Sequence, residues 1–276
     1  MTVQRTTLRA AAPSVPILQR EDLDGITVLT LNRPETRNSL SEAMLAALSD
    51  ALASIAADRL LRAVVLAANG PAFSAGHDLK ELTARRADSD GGRGYTRHIM
   101  EACSAMMLAI LRLPQPVIAA VEGVAAAAGC QLVATCDLAV ASASAKFSTP
   151  GVQIGLFCST PMVALSRNVT RKHAMEMLLT GETILAEQAL NIGLVNQVVE
   201  AGAARGEAIR LARKIAAKSP LVVRIGKEAF YRQLEMGIAG AYACATDVMV
   251  ENMMARDAEE GIGAFIEKRE PNWEDR

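Results

Sequence analysis

The sequence predicts an α/β domain followed by a mainly α-helical C-terminal region, and three observations carry this. Short apolar runs recur at residues 63–67, closed by Asn69-Gly70-Pro71, at 117–121, opened by Pro116, and at 137–141, the pattern of strands buried on both faces. Helix-period segments tens of residues apart separate them, as in stacked βαβ-type units. From about residue 158 onward the strand signals nearly vanish and helical patterns take over.

Each element follows from local chemistry. A hairpin opens the chain, with strands over residues 17–21 and 26–31 and a turn at Asp24-Gly25, a residue pair suited to positive φ. Ser39 and Glu42 have capping-box spacing ahead of a helix over about 41–57. Asn69-Gly70-Pro71 ends the strand at 63–67. Residues 84–94 are polar and glycine-bearing, and read as a mobile loop. A long helix over about 95–112 stops before Pro114 and Pro116. The small-residue stretch 123–129 leads from the strand at 117–121 into a short helix. Later helices are expected at 160–167, 171–179, 186–191, 203–217, 220–234, 240–254 and 257–269, with one strand at 195–199. Ser219-Pro220 reads as an N-cap with proline at the first helical position. Asp257 with Glu260 reads as an acidic cap pair. The organisation is a flexible tail at 1–16, an α/β core at 17–200 and a helical region at 201–276.

The 276 residues are 51% hydrophobic and 21% charged, with net charge −1. That composition supplies a sizeable core. It lacks the basic excess of a nucleic-acid-binding protein. No apolar run approaches the ~18 residues of a membrane span. Cys103, Cys130, Cys136, Cys158 and Cys244 fall in no CxxC or metal-ligand spacing, which indicates a reduced, intracellular protein without a metal. No P-loop occurs, and no separate cofactor is implied. The N-terminus carries Arg5, Arg9 and Arg20 and no acid through residue 20. It reads as a tail of a cytoplasmic, bacterial protein, the alternative being a presequence for the mitochondrial matrix. The apolar helices near the C-terminus suggest burial against other subunits.

Two segments stand out chemically. Phe73-Ser74-Ala75-Gly76-His77-Asp78-Leu79 and Gly123-Val-Ala-Ala-Ala-Ala-Gly-Cys-Gln-Leu132 each follow a strand and open a helix. Small residues admit a ligand close to the backbone, and free N–H groups at a helix start hold an oxyanion. Taken singly, each is also the pattern of tight helix packing.

Together they resemble the enoyl-CoA hydratase/isomerase (crotonase) superfamily. Leu31-Asn32-Arg33-Pro34 matches its early strand and turn, Phe73 to Leu79 its first oxyanion segment, and Pro116 through Asp137 its second. Lys146-Phe147, Pro150, Gly155-Leu156, Thr180-Gly181, residues 189–195 and Ala264-Phe265-Ile266-Glu267-Lys268-Arg269 follow in register. The strings Ser74 to Leu82, Ala127 to Ala134 and Thr149 to Pro161 narrow the resemblance to one subgroup.

The resemblance implies a ClpP/crotonase spiral of ββα units with a C-terminal helical trimerisation region, assembled as a homotrimer or dimer of trimers. It implies an acyl-CoA or enoyl-CoA thioester as substrate, in fatty-acid or related acyl-CoA metabolism. The His77 and Ala128 N–H groups would hold the thioester oxygen as the enolate forms. Ala75, Asp78, Leu79, Phe265 and Lys268 would approach the CoA moiety, the last two across a subunit boundary. At two positions the chain departs from the family. Gln131 and Gly151 stand where hydratases carry the two glutamates that orient water and move its proton. Gln is no base and Gly has no side chain. The reaction is therefore open between hydratase, isomerase, thioesterase and decarboxylase, with a catalytically inactive acyl-CoA binder as the alternative.

The remaining polar candidates have plainer expectations. The His77 side chain reads as a partly buried polar group and Asp78 as the cap of the following helix. His98 and His173 lack a partner suited to base catalysis. Cys158, Ser159 and Thr160 sit at a helix start, where a thiol can be acidified. Asp137 reads as a structural carboxylate, and Asn168-Val169-Thr170 as a sequon without secretory context.

Overall fold

The computed structural model describes residues 15–276. The expected tail or presequence lies almost wholly outside the described residues. The chain begins with β1 (Leu18–Leu23) and β2 (Ile26–Leu31), then α1 (Glu42–Ala57), β3 (Ala63–Ala68), β4 (Ala72–Ser74), α2 (Leu79–Ala84), α3 (Arg93–Arg112), β5 (Val117–Val121), β6 (Val124–Ala126), α4 (Ala128–Thr135), β7 (Leu138–Ser142) and β8 (Lys146–Ser148). It continues with α5 (Pro161–Asn168), α6 (Arg171–Thr180), β9 (Ile184–Leu185), α7 (Ala186–Asn191), β10 (Gln197–Val199), α8 (Ala204–Ala216), α9 (Pro220–Leu234), α10 (Ile238–Met254) and α11 (Arg256–Glu267).

The strands form two sheets. The larger has the order β1-β2-β3-β5-β7-β10, parallel throughout except for the β1–β2 hairpin. Asp24 and Gly25 both take positive φ in its turn, as a twist-matched two-residue hairpin requires. β2, β3 and β5 are buried almost end to end, which explains the uninterrupted apolar runs of β3 and β5; β2 buries Thr27 and Thr30 among its apolar residues. One face of this sheet belongs to a core that includes α1, α3 and α4, with Leu45, Leu48, Met106, Ile110, Leu132 and Val133. The other face is covered by α8, whose Ala204, Ala208 and Ala212 recur every four residues and are fully buried. Small side chains at that spacing let the helix lie close to the sheet. Glu122 accepts the Gly202 and Ala204 N–H groups at its start, supplying a cap that Ala203 cannot.

The smaller sheet, β4-β6-β8-β9, has strands of two or three residues, too short to announce themselves by periodicity. Its first three strands are parallel, and β9 is antiparallel to β8. The entries to β4 and β6 run side by side at backbone distance: a Cβ on Gly123 would lie 2.2 Å from the Pro71 carbonyl oxygen.

Beyond α8, the helical region is tied to the core through a buried lysine on α9. Lys227 Nζ on α9 donates to Asp137 Oδ2 at 2.7 Å and to the Ile110 and Gln115 carbonyls. Asp137 also accepts from Val117 N–H and the Tyr231 hydroxyl, which gives the structural carboxylate expected there its partners. Burial pushes the Lys227 pKa down against the pull of Asp137, and pushes the Tyr231 pKa up. Ser219 caps α9 as expected, accepting from Val222 N–H.

Several local expectations are corrected. The α1 cap is Ser41, which accepts Met44 N–H, while Ser39 donates to Asp78. Asp257 does not cap its own helix; its carboxylate is buried and accepts from Ser219 and from the Glu274 and Asp275 N–H groups, tying down the C-terminal tail. Glu260 pairs instead with Arg269. Residues 84–94 carry the end of α2, a 3-10 turn and a glycine turn in which Asp90 accepts from Gly92 and Gly94. No helix among the described residues is long and apolar enough to cross a membrane.

Candidate active site

Three adjacent parallel strands of the smaller sheet end side by side, and each leads into a segment singled out by the sequence. β4 exits into Ala75 to Asp78, β6 into Ala127 to Gln131, and β8 into Thr149 to Gly151. The registers Ser74↔Ala125 and Ala126↔Ser148 set the three exits next to one another. Ala127 N–H donates to the Ser148 carbonyl at 2.9 Å. Ligands of α/β sheets characteristically bind beyond the carboxyl ends of strands.

The two small-residue segments meet at Gly76. Its φ is +90°, and a Cβ there would stand 3.0 Å from Ala127 Cβ and 3.1 Å from Ala128 N. Gly129 lies against Ser74, where a Cβ would fall 2.1 Å from the carbonyl oxygen. Ala127 takes φ 50° and ψ −118° ahead of α4, a conformation costing about 1–3 kcal/mol in a non-glycine residue. Such strain concentrates at ligand sites. Ala128, first residue of α4, has no intrahelical acceptor for its N–H. Among the described residues neither the His77 nor the Ala128 N–H donates a hydrogen bond.

Polar atoms without partners gather in the same segments. His77 Nδ1 and Nε2, Gln131 Oε1 and Thr149 Oγ1 are buried and unbonded. Burial holds the His77 pKa below its ordinary value, with the Leu40 carbonyl opposing, so the ring is neutral at pH 7. Asp78 caps α2 as expected, its Oδ1 accepting Lys80 and Glu81 N–H. Thr149 opens one of the strings that narrow the resemblance, but nothing in the sequence marks its hydroxyl as a site group.

Gly151 is held by space. Its φ is outside the left-handed region, so no backbone angle demands glycine. A Cβ would lie 2.8 Å from the Leu156 carbonyl oxygen and 2.9 Å from Cys158 Sγ. Cys158 is not the acidified thiol that its position before α5 suggested: burial pushes its pKa up, and pushes Cys103 and Cys130 up to about 12.

The residues expected at the CoA moiety divide into two groups. Ala75 and Leu79 flank the His77 turn and are exposed, with Ala75 N–H donating to Arg37 O. Phe265 and Lys268 lie at the end of α11, which packs on α10, and both are exposed. Neither hydrogen-bonds to the His77–Ala128 region. His98 sits 3.3 Å from Glu42 and His173 bonds Thr170, both outside the site. The Asn168 amide is engaged by the Ala134 and Ala164 carbonyls. The described residues contain no cluster of His, Cys, Asp or Glu suited to a metal.

Known proteins place this architecture. The family model described as enoyl-CoA hydratase/isomerase matches residues 21–276. The chain belongs to that family and has its crotonase fold. Within it, the chain is 50% identical over 251 residues to enoyl-CoA hydratase domain-containing protein 3, mitochondrial, of Homo sapiens, covering 91% of this chain and 81% of that protein. This is the subgroup to which the Ser74, Ala127 and Thr149 strings point. A crystal structure of an enoyl-CoA hydratase from Mycobacterium smegmatis superposes with a TM-score of 0.89 at 54% identity, covering 94% of this chain and 99% of that one. The 2,3-dehydroadipyl-CoA hydratase of Escherichia coli (strain K12) is 33% identical, over 91% of this chain and 96% of that protein.

Proposed function

We propose that the chain binds acyl-CoA thioesters and stabilises their enolate form between the N–H groups of His77 and Ala128, without ordinary hydration of enoyl-CoA. The observation carrying this is the meeting of the two strand exits at Gly76, with two undonated N–H groups on either side. Backbone donors fixed in this way are worth about 10²–10³-fold in rate when charge develops on an oxygen. The relative named for 2,3-dehydroadipyl-CoA supports a CoA thioester as the ligand class. Ala75, Asp78 and Leu79 border the pocket on the CoA side, and Phe265 and Lys268 reach the CoA of a neighbouring subunit.

No carboxylate stands at residue 131 or 151, and the adjoining β4 exit carries the neutral His77 ring and the Asp78 carboxylate. Decarboxylation, which forms the enolate by loss of CO2 with no proton abstracted, is thereby favoured over addition of water. Isomerisation and thioester hydrolysis would each need a proton carrier in place of the two carboxylates. The crowding at Gly151 favours a second reading, a binder that holds thioesters without turning them over. Calorimetry with acetyl-CoA tests the shared claim, and absence of affinity for acetyl-CoA or longer acyl-CoAs overturns it. Mass spectrometry after incubation with a panel of acyl- and enoyl-CoAs separates the two readings: a new product selects the enzyme, an unchanged panel the binder.

The assembly proposed is a homotrimer or dimer of trimers. Tyr242, Met249, Val250, Met253 and Met254 stand exposed on α10, where only Ala241 is buried. An apolar helix face of this kind is typical of obligate interfaces. Light scattering at micromolar concentration showing a monomer would sink this assignment.

A further inference from the structure

A concave site lies apart from the strand exits and shares no residue with them. It is a cavity of about 250 Å³ at the junction of the α1–β3 loop, the turn after α3, the end of α8 and the start of α9. Arg59, Arg62, Lys218 and Arg224 line it, and no acidic side chain does so among the described residues. Arg224 is paired with Asp275. Arg59, Arg62 and Lys218 make neither an ion pair nor a side-chain hydrogen bond among the described residues. In a protein of net charge −1, three uncompensated cations around one cavity are a local concentration that an anion relieves.

The loop that presents them is held in place. Gln115, itself in the wall, donates from Nε2 to the Ile55 and Asp58 carbonyls. Asp58 Oδ1 accepts Leu60 N–H, and Arg62 N–H donates to the Gly25 carbonyl at 2.7 Å. Arg59 and Arg62 are therefore carried on fixed backbone, and Lys218 sits on a turn closed by its own N–H to the Ile215 carbonyl at 2.9 Å. Guanidinium groups match phosphate oxygens in paired hydrogen bonds. The cavity has the volume of about eight waters at ~30 Å³ each, well above one phosphate ion. Part of its wall is aliphatic, including Ile215.

We propose that this cavity binds a small organic phosphate monoester, its phosphate held by Arg59, Arg62 and Lys218 and its carbon skeleton against the aliphatic wall. Calorimetry with glycerol 3-phosphate on the full chain tests it. Saturable binding is expected, weakened at least tenfold in Arg59→Ser/Lys218→Ser, whose two side chains are exposed and make no bond the fold needs. Should the double variant fail to fold, each single substitution is expected to weaken binding several-fold. Inorganic phosphate should bind more weakly than glycerol 3-phosphate. Absence of saturable binding by the wild type, or unchanged affinity in the substituted proteins, overturns the proposal. Equal binding of inorganic phosphate overturns the organic ligand class. Loss of binding in Lys268→Ser, with none in the double variant, assigns the phosphate to the thioester site and also overturns it.

Discussion

Wild-type protein is expected to hydrate crotonyl-CoA at no more than about 0.1–0.001 s⁻¹. General acid–base catalysis supplies about 10²–10⁴-fold, or roughly 2.7–5.5 kcal/mol at 1.36 kcal/mol per tenfold. Removing that from a median enzyme at about 10 s⁻¹ gives the stated range, with the oxyanion donors left intact. Gln131 can hydrogen-bond a water but cannot accept its proton, and Gly151 reaches nothing. The assay is loss of the enoyl thioester absorbance. The Gln131→Glu/Gly151→Glu variant should gain about tenfold or more where the loop yields. The new Cβ at residue 151 meets the Leu156 carbonyl at 2.8 Å and Cys158 Sγ at 2.9 Å. That overlap costs about 1–3 kcal/mol of stability, read independently from Gly151→Ala by urea denaturation. A wild-type turnover in the range of about 1–10³ s⁻¹ would refute the reasoning and return attention to the His77 ring.

Gly129→Ala should cost about 3 kcal/mol or more, because its Cβ would fall 2.1 Å from the Ser74 carbonyl; a loss under 1 kcal/mol in urea denaturation contradicts the close approach. Gly206→Ala, on the exposed face of α8 with nothing within 4 Å, should instead stabilise by about 0.5–1 kcal/mol. Lys227→Met leaves the Asp137 carboxylate without its cation, and about 3–5 kcal/mol should be lost; a neutral result in chemical denaturation would show that the contact is dispensable. His77 has a folded-state pKa below the ordinary 6.5, so the unfolded chain binds its proton first on acidification. Stability should fall as pH drops from about 6.5 towards the folded value, by at most about 1.4 kcal/mol per unit, and His77→Gln should flatten that slope.

The larger sheet was legible in the sequence because burial on both faces leaves an unbroken apolar run, as at Ala63–Ala68 and Val117–Val121. The helices were legible from their start and stop signals, Ser219-Pro220 before α9 and Pro114 after α3. The strands β4, β6, β8 and β9 were not, since two or three residues span at most one alternation of faces. The capping box failed at Ser39 because its hydroxyl has a tertiary partner in Asp78, and the Asp257 cap failed because a distant tail claims that carboxylate. At Cys158 the position before a helix favours a thiolate and the usual burial of a free cysteine opposes it; burial prevails.

The candidate site depends on the elements hardest to see. His77, Ala128 and Gly151 are separated by tens of residues, and no local pattern joins them. What joins them is a strip of three short parallel strands whose ladder puts Ser74 beside Ala125 and Ala126 beside Ser148. The groups that result are main-chain N–H donors, and any residue supplies one, so side-chain chemistry leaves little trace of them. The trace is negative: Gly76 and Gly129 are small because the facing backbone leaves no room for a Cβ. An oxyanion hole of this kind survives changes in the side chains beyond it. The function proposed for this strip therefore does not depend on whether glutamates or, as here, Gln131 and Gly151 stand at the other two positions.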